Sequence, residues 1–458
     1  METIWIKNPL AIYTGSLADA EGGIVIKGNK VIELVGKHKE PTLPVDYSVD
    51  ASRHVVTPGL INAHHHFYQT LTRAYPGALN KELFHWLQSL YPVWANLDSE
   101  MMSLATELAL VELMMSGCTT ASDHHYLLPN GLEHAIDLQV EAAEKLGVRA
   151  IFTRGSMSLG EDEGGLPPRH TIQTEQTIID DSQRLIRDYH QRDEGAMIQI
   201  ALAPCSPFSV TTDLMKETAK ISERENVMMH THLCETLDEE DFCIEKFGLR
   251  PVDYLEDVGW LNERTWLAHG IHFNPEEIKR LGKAGIGISH CPTSNMMLAS
   301  GICKNNDLEA AGVKVGLGVD GSASNDGSNM IAEVRMAMYL QRLQYGSANV
   351  SHFDALRWAT SGSAAAMGRT DIGTLEVGKQ ADIAMFKLDD IRFSGSHDPL
   401  AALLLCGAQQ ADKVMVAGKW RVNDGAVIGA VIGVDMEQLM HRHHAAAMKL
   451  GKLAMNNN

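Results

Sequence analysis

The run His64-His65-His66, which follows ProGlyLeuIleAsnAla at 58–63, is the first place in the chain where residue type and spacing suggest chemistry. Alternate side chains of an extended segment share a face, so His64 and His66 point one way and His65 the other. Two imidazoles on one face are a ready pair of metal ligands, and equally a solvated histidine cluster. Three later segments supply further groups: His230 and His232 in HisThrHisLeuCysGlu, His269 in AlaHisGly, and Asp320 in GlyLeuGlyValAspGly. Taken singly, His269 reads as a core histidine and Asp320 as a helix N-cap, although Asn325 and Ser328 stand nearer the next helix. Taken together, three imidazoles and a carboxylate with one coordination position open would make a hydrolytic zinc or iron site, provided the fold brings them to one place.

The elements between these residues meet that requirement. From about residue 55 to about residue 345, apolar β-rich runs alternate with amphipathic helical stretches, the pattern of a parallel sheet covered by helices. Strands are predicted near 55–63, 118–123, 148–155, 196–204, 227–233, 265–269, 285–290 and 313–319. The helix between the first two has Ser99 as a cap, Glu100 at its positive end, Leu104, Leu108, Val111 and Met115 at helical spacing, and Gly117 as its stop. Thr211 or Thr212 opens a helix to about Asn226, and Asn274 with Glu276 and Glu277 opens one to Gly285. Eight alternations predict an α/β fold, a (β/α)8 TIM barrel, in which catalytic groups gather at the C-terminal ends of different strands, where all the candidates fall. Residues 1–54 and about 371–432 instead carry short Val/Ile-rich runs divided by glycine turns, and are expected to join as one composite sheet in a small β-sandwich domain. The resulting division is 1–57 with 371–432 for that β domain, 58–370 for the barrel, and 433–458 for a C-terminal helix with a fraying polar tail.

Composition excludes several functions. The 458 residues include 58 acidic and 39 basic ones, a net charge of −19 without a dense basic run, which argues against a nucleic-acid groove or an anionic membrane surface as partner. A chain that is 45% hydrophobic and 21% charged is neither disordered nor fibrous as a whole. No apolar stretch reaches the roughly 18 residues of a membrane span and the first residues lack a secretory pattern, so a cytoplasmic protein is expected. Seven cysteines, at 118, 205, 234, 243, 291, 303 and 406, show no Cys-x-x-Cys and read as reduced thiols that mostly pack. An acidic enzyme of this kind is expected to self-associate as a homo-oligomer, though no surface patch for it is legible.

In order and spacing, ProGlyLeuIleAsn-x-His-x-His, His-x-x-Glu, His and Asp resemble the amidohydrolase superfamily, in particular its cytosine-deaminase-like branch. GlyThrLeuGluValGlyLysGlnAlaAspIleAla (373–384) is similar to that family's re-entry into a flanking β domain, so the likeness covers nearly the whole chain. The resemblance implies a metal held by His64, His66, His232 and Asp320, with His230 structural. Binuclear members often carry a carboxylated lysine after strand 4, where this chain has AlaProCysSerPro (203–207), which implies one divalent ion per chain, zinc or else iron. Such an ion lowers the pKa of water from about 15.7 to about 7, so that a hydroxide nucleophile exists at neutral pH. On this reading Asp320 takes the water's proton, His269 orients the water and the developing C–OH, and Glu235 protonates a ring nitrogen and then the leaving amine. The alternative for Glu235 is a surface carboxylate beside Glu239, Glu240 and Asp241.

Gln69, three residues after His66, stands where the similar guanine deaminases place a purine-gripping glutamine, whereas Cys205 replaces their arginine after the strand-4 proline and points away from guanine itself. The longer segments 64–74, 153–160, 164–170, 202–210 and 290–303 resemble the bacterial 8-oxoguanine deaminases, which implies hydrolysis of 8-oxoguanine at C2 to urate and ammonia. The same motifs are partly shared with pterin deaminases and s-triazine hydrolases, so an isoxanthopterin-like or hydroxyatrazine-like ring is the alternative substrate. Loop position places Trp86, Tyr126, Arg154, Arg169, Cys205 and Ser294 at the substrate, with pairing to Glu161–Glu163 as the alternative for the two arginines. The Gly- and Pro-rich segment 156–170 reads as a lid or as a merely flexible loop. Zinc deaminases that edit nucleic acids are excluded, since they need His-x-Glu followed by Pro-Cys-x-x-Cys, so the substrate is a free heterocycle. A barrel scaffold that had lost its metal should lack these ligands, and here every implied ligand is present.

Overall fold

Eight parallel strands, paired in chain order, form the centre of the computed structural model, which describes residues 2–429 and 433–456. They are β1 (Leu60–Asn62), β2 (Cys118–His125), β3 (Arg149–Ser156), β4 (Ile198–Pro204), β5 (Met229–Leu233), β6 (Thr265–His269), β7 (Gly287–His290) and β8 (Lys314–Leu317). Between the last and first strands the Ala63 N–H donates to the Leu317 carbonyl (2.8 Å), and the Asn62 side-chain oxygen accepts from the Val319 N–H (2.9 Å). Helices cover the outside, so the strands are buried on both faces. The fold is the (β/α)8 barrel.

Two sequence expectations change at the first strand and in the flanking segments. The run 55–63 is not one strand: His54–Pro58 pairs antiparallel with Ile383–Lys387 in a flanking sheet, and only Leu60–Asn62 enters the barrel. The break falls at Gly59, where a Cβ would lie 2.1 Å from Thr119 Oγ1, so only glycine lets the chain cross there from one sheet to the other. The flanking segments build two sheets instead of one. The first has the order Lys30–Val35, Gly23–Lys27, Thr3–Lys7, Tyr47–Asp50, all N-terminal. The second runs Ala426–Val427, Lys419–Asn423, Lys413–Val416, Ile383–Lys387, His54–Pro58, Ala11–Ile12, and mixes both ends of the chain. The N-terminal hairpin has an apolar face of its own (Ile24, Ile26, Val31). Stacking on the second sheet covers that face with Val56, Ile383 and Met415, whereas edge-to-edge extension would leave it in water.

Helix ends show local chemistry at work. Asp98, not Ser99, caps Ser99–Met115 by accepting from the Met101 N–H. Thr211 caps Thr212–Glu225, and Asn274 with Glu277 closes a capping box on Pro275–Ala284. The C-terminal helix Met436–Asn456 lies against Ser99–Met115 and the turn Phe67–Thr72, burying Leu439, Ala446 and Leu450. Residues 457 and 458 of the predicted fraying tail lie outside the described residues. No helix among the described residues is long and apolar enough to cross a membrane.

One buried ion pair ties barrel to flank. Arg149, at the start of β3, pairs with Asp382 through Nε (3.0 Å) and Nη2 (3.2 Å) and donates from Nη1 to the carbonyls of Gly195 and Ala196, while Asp382 also accepts from the Ala417 N–H. Removing one partner strands a buried charge, so Asp382→Ala is expected to lower the unfolding free energy by about 3–5 kcal/mol in urea titration. A loss below about 1 kcal/mol would contradict that role.

Candidate active site

The ends of β1, β5, β6 and β8 bring six polar side chains to the C-terminal mouth of the barrel, all of them buried. His64 and His66 follow β1 and turn inward, while His65 turns away toward the Ser328 hydroxyl (2.8 Å). His232 comes from β5, and His269 ends β6. Cys234, His269 and Asp320 have φ of 54°, 74° and 62°, a left-handed conformation that costs non-glycine residues about 1–3 kcal/mol each and turns these chain segments sharply at the site.

Hydrogen bonds fix which nitrogen of each ring carries a proton. A carbonyl can only accept, so His66 Nδ1–H donates to the His124 carbonyl and His232 Nδ1–H to the Cys205 carbonyl, each at 2.7 Å. His230 Nδ1–H donates to the Trp266 carbonyl (2.9 Å), which leaves its Nε2 to accept from His64 Nδ1–H (2.8 Å). All three Nε2 lone pairs of His64, His66 and His232 therefore face one another. The Nε2 atoms of His66 and His232 are 3.2 Å apart, and His64 Nε2, fully buried, has no hydrogen-bond partner. Asp320 Oδ1 lies 3.4 Å from His64 Nε2 and 3.3 Å from His66 Nε2. Burial, with the field of His64, pushes the His66 pKa down to about 4, and the same two causes with His66 lower that of His232, so protons do not neutralise the facing lone pairs. Three borderline nitrogen donors and one anionic oxygen within 4.8 Å or less of their neighbours fit a divalent cation.

The other two groups stand beside this cluster. His269 Nε2 is 3.4 Å from Glu235 Oε2 and 3.9 Å from Asp320 Oδ2. Glu235 is 4% exposed and lines the cavity, so it is no surface carboxylate. Burial, then the charges of Asp320 and Glu239, raise its pKa well above the usual carboxyl range. For Asp320 burial opposes ionisation, but His64, His269 and His66 outweigh it and hold the carboxyl well below that range. Environment thus pushes the pKa values of two neighbouring carboxyls apart.

A cavity opens onto these groups. Gln69, Trp86, Tyr126 and Cys205 line it. The Ala323 N–H donates to Gln69 Oε1 and the Ala323 carbonyl accepts from Trp86 Nε1, each at 3.2 Å, so both side chains are held by the loop after β8. Burial pushes the Cys205 thiol up to about 12, which keeps it neutral.

Three predicted substrate residues are elsewhere. Arg154 is buried but its guanidinium is taken up by Asp181 (2.6 Å), Gln173 and the Gly155 carbonyl, because the side chain reaches toward the helix Glu175–Tyr189. Ser294 donates to Ser324, and it is Ser324 that lines the cavity. Arg169 is exposed beside Asp162. The segment 156–170 contributes no lining residue; the cover is the helix Leu83–Trp94, through Leu83, Trp86, Leu87 and Tyr91, with Phe208 and Leu298. That apolar stripe has the spacing of an ordinary core-facing helix face, so its sequence signal is indistinguishable from packing.

The amidohydrolase family profile matches residues 55–421, most of the chain. The chain belongs to the amidohydrolase family. Among curated relatives of this amidohydrolase, 8-oxoguanine deaminase of Pseudomonas aeruginosa PAO1 is 62% identical over 98% of this chain and 99% of its own. An isoxanthopterin deaminase from an unknown prokaryotic organism is 33% identical over 95% and 94%. Among solved structures, an atrazine chlorohydrolase of Arthrobacter aurescens TC1 complexed with zinc superposes with a TM-score of 0.90 at 30% identity, covering 97% of this chain and all of that one.

Gly321 gives the site a direct test. A Cβ there would lie 1.9 Å from Gln69 Oε1, the end of a flexible side chain that can swing away. Gly321→Ala is expected to shift Tm by less than about 3 °C while raising KM at least tenfold. An unchanged KM would remove Gln69 from substrate contact.

Proposed function

We propose that this amidohydrolase hydrolyses the exocyclic C2–N bond of free 8-oxoguanine, with water giving urate and ammonia. The observation that carries the proposal is 62% identity to an 8-oxoguanine deaminase along the full length of both chains, together with a neutral imidazole cluster and a split pair of carboxyls at the barrel mouth. His64, His66, His232 and Asp320 would hold one divalent ion, zinc in this reading, whose Lewis acidity activates water at neutral pH. Asp320, ionised, accepts the proton of the attacking water. His269 directs its Nε2–H at the oxygen that becomes the new carbonyl. Glu235, protonated, gives its proton to a ring nitrogen as C2 becomes tetrahedral, and a proton then passes to the departing amine as the C–N bond breaks. Gln69 offers its amide to the ring edge, and the helix Leu83–Trp94 with Phe208 keeps bulk water from the bound heterocycle. The setting is cytoplasmic in this reading, in keeping with seven unpaired cysteines.

Ammonia release by the zinc-loaded protein from 8-oxoguanine, guanine, isocytosine, isoxanthopterin and hydroxyatrazine tests the substrate. The expected result is kcat/KM for 8-oxoguanine at least tenfold above every other, about 1.4 kcal/mol of transition-state discrimination. A pterin or triazine in first place would overturn the substrate and leave the reaction class standing. Asp320→Asn and Glu235→Gln are each expected to lower kcat at least a hundredfold with the circular dichroism spectrum unchanged, and near wild-type rates would refute the assigned roles. Because the protonated form of Glu235 is the active one and its pKa is raised, activity is expected to persist well above the ordinary carboxyl pKa of about 4.3 and to fall as pH rises through the raised value. A rate that climbs without an alkaline fall would contradict this assignment.

A further inference from the structure

We infer that Asn295 is a positioning residue that fixes His269 as an Nε2–H donor and so keeps this fourth imidazole out of the metal-ligating set. The two rings His232 and His269 stack almost in parallel, with centroids 5.5 Å apart and planes 16° apart, at the same mouth of the barrel. What separates a ligand from a donor between them is the position of one proton. For His232 the Cys205 carbonyl holds it on Nδ1. For His269 two observations place it on the other nitrogen. Nε2 lies 3.9 Å from Oδ2 of the ionised Asp320, which opposes a bare lone pair, and 3.4 Å from Glu235 Oε2, which accepts the N–H with the Glu235 proton carried on Oε1. Nδ1 must then accept, and the atom 3.0 Å away is the Asn295 amide nitrogen, a donor.

Asn295 suits that task because its side chain is wholly buried on the helix Pro292–Met297, and its oxygen has no hydrogen-bond partner. The amide is therefore oriented by His269 and by no competing polar group. A left-handed backbone at His269 aims the ring, and Asn295 sets its tautomer. The consequence for the reaction rests on the reading above: a donor at Nε2 stabilises negative charge on the attacking oxygen, whereas a lone pair there would repel it. Sequence position alone favoured the neighbouring Ser294, whose hydroxyl supports Ser324.

The test is the tautomer itself, read by long-range proton–nitrogen correlation NMR on the zinc-loaded full chain labelled with 15N-histidine, with His269 assigned by its loss in His269→Gln. The wild type is expected to show a protonated Nε2 and a bare Nδ1 at His269. Asn295→Asp, which can only accept, is expected to protonate Nδ1. Asn295→Leu, isosteric and without a donor, is expected to lower kcat on 8-oxoguanine at least thirtyfold with KM within threefold. A wild-type His269 protonated on Nδ1 would overturn the proposal, as would Asn295→Leu with kcat within threefold of wild type. Should both variants fail to fold, the wild-type spectrum alone decides. Should 8-oxoguanine prove the wrong substrate, turnover fails while the tautomer stands, so the two readings fail separately.

Discussion

Two neutral imidazoles that aim lone pairs at each other across 3.2 Å repel unless something positive is shared between them, and His66 and His232 are held in that arrangement by the fold. Their Nδ1 protons are committed to backbone carbonyls, and burial disfavours a further proton on either ring. His64 is committed in the same way through His230 and Trp266. A divalent cation resolves the conflict, and most of what is specific about this barrel serves to build and hold it.

The holding is done by main chain more than by side chain. The carbonyls of His124 at the end of β2, Cys205 just past β4, and Trp266 in β6 set three tautomers, so each depends on strand register. Asp320 reaches the site because its backbone N–H bonds the His64 carbonyl and because the loop turns at positive φ. Gly318 permits that approach, since a Cβ there would fall 2.7 Å from the Cβ of His64. Strain at Cys234, His269 and Asp320 is offset by the packing of a large, continuous core. The same economy of position separates Glu235 from Asp320: burial beside the charges of Asp320 and Glu239 raises the pKa of one carboxyl, while the ring nitrogens facing the other lower its pKa.

Much of this arrangement was legible in the residues. The i, i+2 spacing of His64 and His66 implied a shared face, and eight alternations of strand and helix implied a closed barrel whose mouth would gather His232, His269 and Asp320. What could not be read has physical reasons. Backbone carbonyls carry no residue signal, so the partners of His66 and His232 were invisible. The stripe Leu83, Leu87, Tyr91 that covers the cavity has the period of any buried helix face. Arg154 was misplaced because a long side chain on a strand can pass to the helical layer as easily as into the mouth, and Asp181 lay 27 residues on in sequence. The split at Gly59 depended on how near Thr119 would come, a tertiary fact. Asn295 was overlooked beside Ser294 because only the orientation of the helix Pro292–Met297 tells which of two neighbours meets His269.

A crystal of the full chain grown with zinc, measured on both sides of the zinc absorption edge, tests the metal site most directly. One anomalous peak per chain, within about 2.0–2.2 Å of the Nε2 atoms of His64, His66 and His232 and of an Asp320 oxygen, is the result predicted here. No peak at that point, or a peak bound by His269 in place of any of the three, would contradict it.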